Sequence, residues 1–283
     1  ALTQTSPERV RDEFIKLLSS NRPQVALRIL DAVGLFEQIF IGLPPLDMLK
    51  HSPNSPTSWS HTLLTIQKLD NIYMTISPKR TEFTAAVFDL GMMVTALDLY
   101  RKKLQTHIAH TWANDRPHKA LLLLGGLIHL MPVEYTDRVA NLLKLSNDEK
   151  KRLVRMMNAY PNVLKMPTDP LSLHYFWREN GDAGVDACLI ALAYHLAYEN
   201  TLLKQDVWLK HLEHVQILMD AYYTRYDEIV SPPTLITGDD LLAHFGLEPS
   251  KKIGQLLTLV REAQVLGQVH TTEEALAYIK NHL

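Results

Sequence analysis

Histidines spaced three residues apart are the first candidates for chemistry in this sequence. His107 and His110 form one such pair, and His211 and His214 form another. Residues at i and i+3 share one face of a helix, so each pair could present two imidazoles to a metal ion. A zinc site also needs a third ligand and hydrogen-bonding groups behind its ligands, and neither is evident in the sequence. We therefore expect no bound metal at either pair.

Basic side chains in two segments favour the binding of phosphate. The stretch 101–119, RKKLQTHIAHTWANDRPHK, is the most basic part of the chain and contains Trp112. Farther on, Lys251 and Lys252 follow Ser250 in the first turn of a predicted helix. Unpaired backbone N–H groups and the helix dipole favour an anion at such a position. The alternative is that these lysines simply solvate an exposed turn, as lysines do on many helix surfaces.

Motifs for nucleophilic catalysis or nucleotide binding do not occur in the sequence. There is no Gly-x-Ser-x-Gly, no P-loop and no dinucleotide-binding fingerprint. There is also no Asp-x-Asp pair, although two-metal phosphoryl transfer needs closely spaced acids to hold its ions. The single cysteine, Cys188, excludes a disulfide within the chain and lies in an apolar run that favours buried packing. The sequence therefore contains none of these catalytic motifs.

Composition places the chain among helical proteins without a global cationic field. It has 283 residues, of which 46% are hydrophobic and 21% charged, and its net charge is -2. Contacts with nucleic acid must therefore come from local patches. No apolar stretch is long enough to span a membrane and no signal peptide is visible, which predicts a cytoplasmic location. Only 11 glycines and little alternation of polar and apolar residues predict an all-α fold.

The first helices have clear start and stop signals. Ser6-Pro7-Glu8 provides an N-cap, a first-turn proline and an acid, and a second helix restarts near Pro23 and ends at Gly34. The helical spacing predicts that Arg9, Arg11 and Lys16 point away from the buried face of the first helix. The predicted buried residues are Val10, Phe14, Leu17 and Leu18 in the first helix and Val25, Ala26, Leu30 and Val33 in the second.

Three short helices are predicted at the end of the chain. The first covers Asp240 to Phe245 and stops at Gly246, which can take a left-handed conformation. The second opens at Ser250 and closes at Gly267, and the third begins with a capping box of Thr271 and Glu274. Their apolar positions at helical spacing are Ile253, Leu256, Leu257, Val260, Ala263, Ala275, Leu276 and Ile279.

The order of residues at both ends of the chain resembles one enzyme family. The run Gly-Asp-Asp-Leu-Leu, Gly-Leu-x-Pro, Ile-Gly-x-Leu-Leu, Arg-Glu-Ala-Gln and Thr-x-Glu-Glu-Ala-Leu closely resembles the tail of bacterial tRNA nucleotidyltransferases (CCA-adding enzymes) and related poly(A) polymerases. SPERVRDEFIKLL and RPQVALRILDAVGLFEQI resemble the neck of the same family. The resemblance covers nearly the whole chain but is weak in the middle.

The resemblance implies a body of HD type, in which a His, a later His-Asp pair and a distal Asp bind metal. His61 matches the first His and His129 the second, but Leu130 stands where the paired Asp should be. The distal Asp would lie near Tyr194 and His195. Two imidazoles without a bridging carboxylate do not make a convincing site for a hard metal ion. We therefore expect a degenerate HD-like body in which His61 and His129 are only remnants and no metal is bound.

The family's catalytic head would precede residue 1. It holds a Gly-Ser loop for the triphosphate and a carboxylate pair for two Mg²⁺ ions, so Mg²⁺ and CTP or ATP belong to that head. The expected arrangement is elongated: neck-like RNA-binding helices over 1–43, the HD-like body over 57–230 and the tail over 235–283. Residues 44–60, rich in Pro and Ser, are predicted to form a loop between neck and body.

The function implied is the binding of tRNA or other structured RNA during tRNA 3′-end processing, without catalysis by this chain alone. DNA and membranes are not expected partners. Two alternatives from other classes are a metal-dependent phosphohydrolase of HD type and a helical scaffold for protein interactions. The candidate RNA-binding residues are Arg9, Arg11, Arg101, Lys102, Lys103, Lys251 and Lys252.

Overall fold

The computed structural model describes residues 5–43, 58–78, 88–198 and 204–282 and confirms the all-α fold. Most of the predicted loop at 44–60 lies outside these residues. Within them, the helices are α1 (Pro7–Leu18), α2 (Pro23–Ala32), α3 (Leu35–Ile39), α4 (Ser58–Ile76), α5 (Phe88–Leu97), α6 (Arg101–Ile108), α7 (His118–Ile128), α8 (Thr136–Leu142), α9 (Asn147–Ala159), α10 (Pro170–Asn180), α11 (Asp182–Tyr198), α12 (Gln205–Tyr223), α13 (Gly238–Phe245), α14 (Lys251–Val265) and α15 (Thr272–Lys280). A small antiparallel hairpin pairs β1 (Thr111–Trp112) with β2 (Arg116–Pro117).

The chain divides into two compact units. The first contains Ala1–Lys165 and Asn180–Gln216, and the second contains Met166–Glu179 and Ile217–Leu283. These bounds differ from the predicted division at 230–235, because a segment from the middle of the chain joins the last helices in the second unit. The functional labels of neck, body and tail remain predictions.

The core of the first unit is built where α4 packs against α7 and α11. Helix α11 is apolar on nearly all sides and is almost wholly buried, as expected for a central helix. Gly125 and Gly126 of α7 allow this close packing. A Cβ at Gly125 would lie 3.0 Å from Cδ1 of Ile190 in α11, and one at Gly126 would lie 2.9 Å from Cδ2 of Leu69 in α4.

The N-terminal helices begin and end where the sequence predicted, and Phe14 and Leu18 of α1 are buried as predicted, but other parts of the buried faces differ from the prediction. Oγ of Ser6 accepts the first-turn N–H of Arg9 at 3.3 Å, and Gly34 adopts the left-handed conformation. In α1, Arg11 is buried rather than solvent-facing. In α2, Leu27 is the apolar side chain that is buried, whereas Val25 and Val33 are 42% and 60% exposed. The helical period is correct, but the predicted buried face of α2 is displaced, since Ala26 and Leu30 are only half-buried.

The last three helices pack around their own core in the second unit. Leu241, Leu256, Val260, Ala275 and Ile279 are among its buried members. Thr237 begins α13 with a reciprocal capping box to Asp240, and Gly246 ends this helix in the left-handed conformation. At α15, Oγ1 of Thr271 accepts the N–H of Glu274, but the Glu274 carboxylate bonds to the N–H of His270, one residue before the predicted partner.

The segment that precedes α13 is fixed to the helices that follow it. Nη1 of Arg261 donates to the carbonyl of Pro232 at 2.6 Å, and Nε2 of Gln264 donates to the carbonyl of Pro233 at 2.9 Å. Oγ1 of Thr272 donates to the carbonyl of Leu235 at 3.0 Å. Side chains of α14 and α15 therefore hold three carbonyls of this short segment.

Candidate functional site

The three positions compared with an HD metal site do come together. His61 lies in the first turn of α4, His129 directly follows α7, and Tyr194 lies in α11. The ring centroids are 5.6 Å apart for His61 and His129, 5.1 Å for His61 and Tyr194, and 5.5 Å for His129 and Tyr194. The resemblance therefore identified residues that share one buried location.

The chemistry of this cluster does not fit a metal ion. The resemblance places the paired Asp at Leu130 and the distal Asp near Tyr194 and His195, and none of these side chains supplies a carboxylate. Nδ1 of His129 lies 2.7 Å from the carbonyl of Gly126 and must carry a proton, because a carbonyl only accepts. Tyr160 donates its hydroxyl to the carbonyl of His129 at 2.7 Å. Burial raises the pKa values of Tyr160 and Tyr194, so both phenols stay neutral and pack as aromatic rings.

A second cluster, at the other end of α11, was missed by the sequence analysis. Asp186 is fully buried, and its Oδ1 lies 2.7 Å from Nε2 of His107 and 2.8 Å from Nε2 of His118. Its Oδ2 accepts Nε–H of Arg152 at 2.6 Å. Arg152 also reaches Asp182 at 3.4 Å. The sequence signal that could have revealed this cluster is Asp186 itself, an acid within an apolar helix. A buried carboxylate requires cationic or hydrogen-bonding partners.

Electrostatics keep the Asp186 carboxylate ionised. Burial would raise the pKa of Asp186, but the adjacent His118, the Arg152 guanidinium and the hydrogen bond from His107 outweigh burial and hold the pKa well below 3.8. In turn, burial would lower the pKa of Arg152, and the charge of Asp186 more than offsets this effect. The cluster is therefore a buried ion pair extended by two imidazoles.

Three members of this cluster, His107, His118 and Asp186, lie close enough to surround a metal ion. Their hydrogen bonds argue against one. Nε1–H of Trp112 donates to Nδ1 of His118 at 3.3 Å, so Nδ1 is the unprotonated nitrogen. Nε2 then carries the proton that it shares with Asp186 and has no lone pair for a metal. The guanidinium of Arg152, 3.2 Å from Nε2 of His107, would also repel a cation.

The hairpin that holds Trp112 is built at some conformational cost. Asn114 and Asp115 at its tip have φ values of 57° and 55°, which non-glycine residues seldom adopt but Asn and Asp tolerate best. Arg116 forms two hydrogen bonds with the buried carboxylate of Glu149, at the start of α9. This pair anchors the hairpin to α9 and sets Trp112 beside His118.

The two histidine pairs with i, i+3 spacing separate in the structure. His107 turns to Asp186, whereas His110 lies past the end of α6 with its ring edge-on to Trp112, 4.5 Å between centroids. His211 of α12 contacts His195 of α11, with centroids 4.1 Å apart. His214 instead bonds to the backbone of Val163. Neither pair presents two imidazoles to one point.

The predicted RNA-binding residues lie at three separate places. Arg9 is exposed on α1, whereas the Arg11 guanidinium is used internally, by Asp12 and by the carbonyl of Lys144, both at 2.8 Å. The consecutive cations Arg101, Lys102 and Lys103 open α6, with Lys102 and Lys103 exposed and Arg101 4.0 Å from Asp98. Lys251 and Lys252 are exposed in the first turn of α14, in the other unit. Ser250 is the N-cap there but makes no side-chain capping bond.

Comparison with known proteins connects these features. A family model described as tRNA nucleotidyltransferase domain 2 (putative) matches residues 122–279, and one described as the probable RNA and SrmB-binding site of polymerase A matches residues 1–48. None of the described helices meets the length and apolarity needed to cross a membrane.

Curated relatives agree with these models. A CC-adding tRNA nucleotidyltransferase of Thermus thermophilus is 25% identical over 96% of this chain and 56% of its own length. An A-adding tRNA nucleotidyltransferase of Deinococcus radiodurans is 25% identical over 96% of this chain and 58% of its own length. A CC-adding tRNA nucleotidyltransferase of Synechocystis is 31% identical over 56% of this chain. This chain spans little more than half the length of the first and second of these relatives. Because the model at 122–279 covers more than half of the chain, we conclude that the chain belongs to the tRNA nucleotidyltransferase family.

Proposed function

We propose that this chain binds tRNA and holds it for 3′-end processing, without adding nucleotides itself. The observation that carries the proposal is the match of residues 1–48 to a probable RNA-binding model, on a chain of the tRNA nucleotidyltransferase family. Folded RNA is bound largely through shape and backbone contacts, which need positioned cations rather than a high net charge. A chain with a net charge of -2 can meet this need through local patches.

Two exposed patches are suited to phosphate. The start of α6 carries three consecutive cations, Arg101 to Lys103. The first turn of α14 carries Lys251 and Lys252, at a helix N-terminus where the side chain of Ser250 makes no capping bond and the helix dipole favours an anion. Two lysines at the positive end of a helix dipole are mildly unfavourable, and a bound phosphate removes that penalty.

Nucleotide addition is assigned elsewhere in this proposal because the sequence has no Asp-x-Asp pair of the kind that two-metal chemistry needs. The His61 and His129 cluster offers no carboxylate at the two compared positions, and His118 has no free lone pair for a metal. In this proposal Mg²⁺ and CTP or ATP act in a separate catalytic part of the enzyme. The same residues speak against a metal-dependent phosphohydrolase.

The first experiment is a titration of tRNA at several salt concentrations. Lys251→Ala with Lys252→Ala should weaken binding at low salt and flatten the salt dependence, by a slope of about 1 for each phosphate that the variant no longer neutralises. Lys210→Ala with Lys280→Ala removes two exposed lysines elsewhere and serves as the control. Failure of the unaltered chain to bind tRNA would overturn the proposal. Equal salt slopes for the two double variants would show that Lys251 and Lys252 do not contact phosphate.

The second experiment tests the absence of catalysis. The chain is incubated with Mg²⁺, labelled CTP or ATP, and tRNA that lacks its 3′ end. We expect no label at the tRNA terminus. Incorporation by the purified chain would show that the catalytic residues are present after all.

A protein-binding surface is a second candidate function, favoured by one observation. Val25 and Ile29 of α2 and Val33, which directly follows this helix, form a stripe at i, i+4 and i+8 and are 42%, 59% and 60% exposed. The stripe lies within the segment whose family model also names SrmB, so SrmB is the partner to test. Ile29→Lys should abolish binding of SrmB in surface plasmon resonance and leave tRNA affinity unchanged. Binding that is absent, or that survives Ile29→Lys, would discard this second function.

A further inference from the structure

An open groove of about 560 Å³ runs between the start of α1 and α8 in the first unit. Pro7 comes from the segment that matches the RNA-binding model, and the other walls come from the segment that matches tRNA nucleotidyltransferase domain 2. The groove is thus a place where the two matched segments face each other. Its polar lining residues are Glu134, Asp137, Arg138, Asn141 and Lys144.

Lys144 is held in this lining in a conformation that favours glycine. Its φ is +46°, and its N–H bonds to the carbonyl of Asn141 at 3.2 Å while the next N–H, of Leu145, bonds to the carbonyl of Ala140 at 3.0 Å. This is the Schellman ending of α8, where glycine is the usual residue. A lysine here retains a charge at a conformational cost, and such strain is found most often at functional positions.

Arg11 keeps Lys144 in place. Its buried guanidinium donates to the carbonyl of Lys144 at 2.8 Å and is itself held by Asp12. The predicted RNA-binding arginine therefore does not face solvent, but it fixes the backbone that presents an exposed lysine. Arg11 acts as a positioning residue for Lys144.

Arg138 supplies the second cation of the groove. It is exposed, and its guanidinium lies over Gly42, where a Cβ would collide with it. No ion-pair partner of Arg138 is found in the described part of the chain. Asp137 lies 3.5 Å from Lys150, which also donates to Oδ1 of Asn141 at 3.4 Å. The lysine therefore offsets the Asp137 charge, and the NH₂ group of Asn141 remains available as a donor.

We infer that this groove binds the sugar-phosphate backbone of an A-form RNA segment. Arg138 and Lys144 contact phosphates, and Asn141 and the Glu134 carboxylate contact ribose 2′-hydroxyl groups. A carboxylate in the lining repels a small free anion but accepts a hydrogen bond from a 2′-hydroxyl, which distinguishes RNA from DNA. The inference rests on the proposed tRNA binding and adds the surface and the groups that recognise the backbone.

The sharpest test replaces Lys144 with glycine. Glycine adopts a φ of +46° without strain, so Lys144→Gly should unfold at an equal or higher temperature than the unaltered chain. Its affinity for tRNA should nevertheless fall roughly tenfold at about 0.05 M salt and approach that of the unaltered chain near 1 M. Lys165→Ala removes one exposed lysine from a turn outside the groove and is the charge-matched control.

Two further variants complete the test. Arg138→Ala, at an exposed position, should reduce the salt slope by about 1, as Lys144→Gly does. Arg11→Gln made in the unaltered chain should reduce the dependence of tRNA affinity on salt. The same substitution made in Lys144→Gly should change it no further, because Arg11 acts by positioning Lys144. Glu134→Ala removes the acceptor for the 2′-hydroxyl and should reduce the preference for an RNA hairpin over a DNA hairpin of the same sequence.

The outcomes separate this inference from the proposed function. A chain that binds no tRNA overturns both. A chain that binds tRNA, with Lys144→Gly and Arg138→Ala behaving as Lys165→Ala does, overturns the groove and leaves the proposed function standing. Equal affinity for RNA and DNA hairpins would remove the 2′-hydroxyl contacts from the inference.

Discussion

Trp112 donates its indole N–H to Nδ1 of His118 across 3.3 Å, and this bond fixes which nitrogen of the imidazole carries the proton. Indole N–H is only a donor, so Nδ1 accepts and Nε2–H points to Asp186. Neutral histidine that ligates a metal donates its other ring N–H to an acceptor, which is the reverse of the situation here. One neighbouring tryptophan therefore decides between a metal site and a hydrogen-bonded network.

The first prediction concerns this tautomer. Long-range ¹H–¹⁵N spectra should show His118 with its proton on Nε2 only. Elemental analysis and calorimetric titration with Zn²⁺, Mn²⁺ or Ni²⁺ should show no stoichiometric binding to the same protein. Trp112→Phe removes the donor to Nδ1, but the ionised Asp186 carboxylate still accepts from Nε2, so the proton should stay on Nε2 in this variant as well. A tightly bound metal that is lost in His118→Ala would contradict the assignment.

The second prediction concerns Asp186. Asp186→Asn leaves the Arg152 guanidinium buried without its counter-charge and should lower the free energy of unfolding by about 3–5 kcal/mol in urea denaturation. Asp182, with a side chain 60% exposed, provides the control, and Asp182→Asn should cost about 0.5 kcal/mol or less. Because the folded-state pKa of Asp186 is lowered, its contribution is present above pH 3.8 and is lost as the pH falls through the folded-state pKa. The difference in the free energy of unfolding between the unaltered chain and Asp186→Asn should therefore shrink only in strong acid.

His195 provides a third prediction, on the pH dependence of stability. Burial, together with His211, lowers the pKa of His195 to about 4, so the folded protein resists its protonation while the unfolded chain accepts it near pH 6.5. Stability should fall as the pH drops from 6.5 to 4, by as much as about 3 kcal/mol from this group. His195→Phe, which keeps a ring stacked on Trp208, should flatten that part of the curve. His244→Gln, at an exposed position, is the control, and an unchanged slope in His195→Phe would contradict the prediction.

The fourth prediction compares two helix N-caps in the second unit. Thr237 and Asp240 cap α13 reciprocally, so Thr237→Ala should lower the free energy of unfolding by about 1 kcal/mol. Ser250 makes no side-chain capping bond at α14, so Ser250→Ala should change the free energy of unfolding by no more than a few tenths of a kcal/mol. Chemical denaturation of the two variants side by side measures the difference. Equal losses would mean that Ser250 caps α14 in solution.

Local signals explain why the fold was predictable. Ser6, Gly34 and Gly246 mark helix ends through interactions that span only a few residues, so sequence spacing reveals them. The N-cap Thr237 was missed, because the sequence analysis placed the start of this helix at Asp240. The choice of buried face on α2 is a different matter. It depends on how α2 meets α4, and Val25 and Leu27 are equally apolar in the sequence. Periodicity gives the faces of a helix but does not choose between two apolar ones.

The polar interior was harder to predict because its partners are distant in sequence. His118 and Asp186 are 68 residues apart, and Arg11 reaches the carbonyl of a residue 133 positions later. No spacing rule connects such residues. The resemblance did identify His61, His129 and Tyr194 as neighbours, since it supplied the three-dimensional arrangement that periodicity lacks. The assignments of Arg9, Arg11, Arg101, Lys102, Lys103, Lys251 and Lys252 to RNA remain predictions.

The contacts of residues 231–235 determine where the second unit can be cut by a protease or truncated. Its prolines and serine give it the composition of a flexible connection, yet Arg261, Gln264 and Thr272 occupy the carbonyls of three of its residues. A protease must draw several residues of extended backbone into its active site, and here the backbone is already bonded on one side. Limited digestion should therefore spare this segment. A truncation within residues 231–235 would remove backbone carbonyls that α14 and α15 bind. A stable fragment must therefore include residues 231–235 together with the helices that follow.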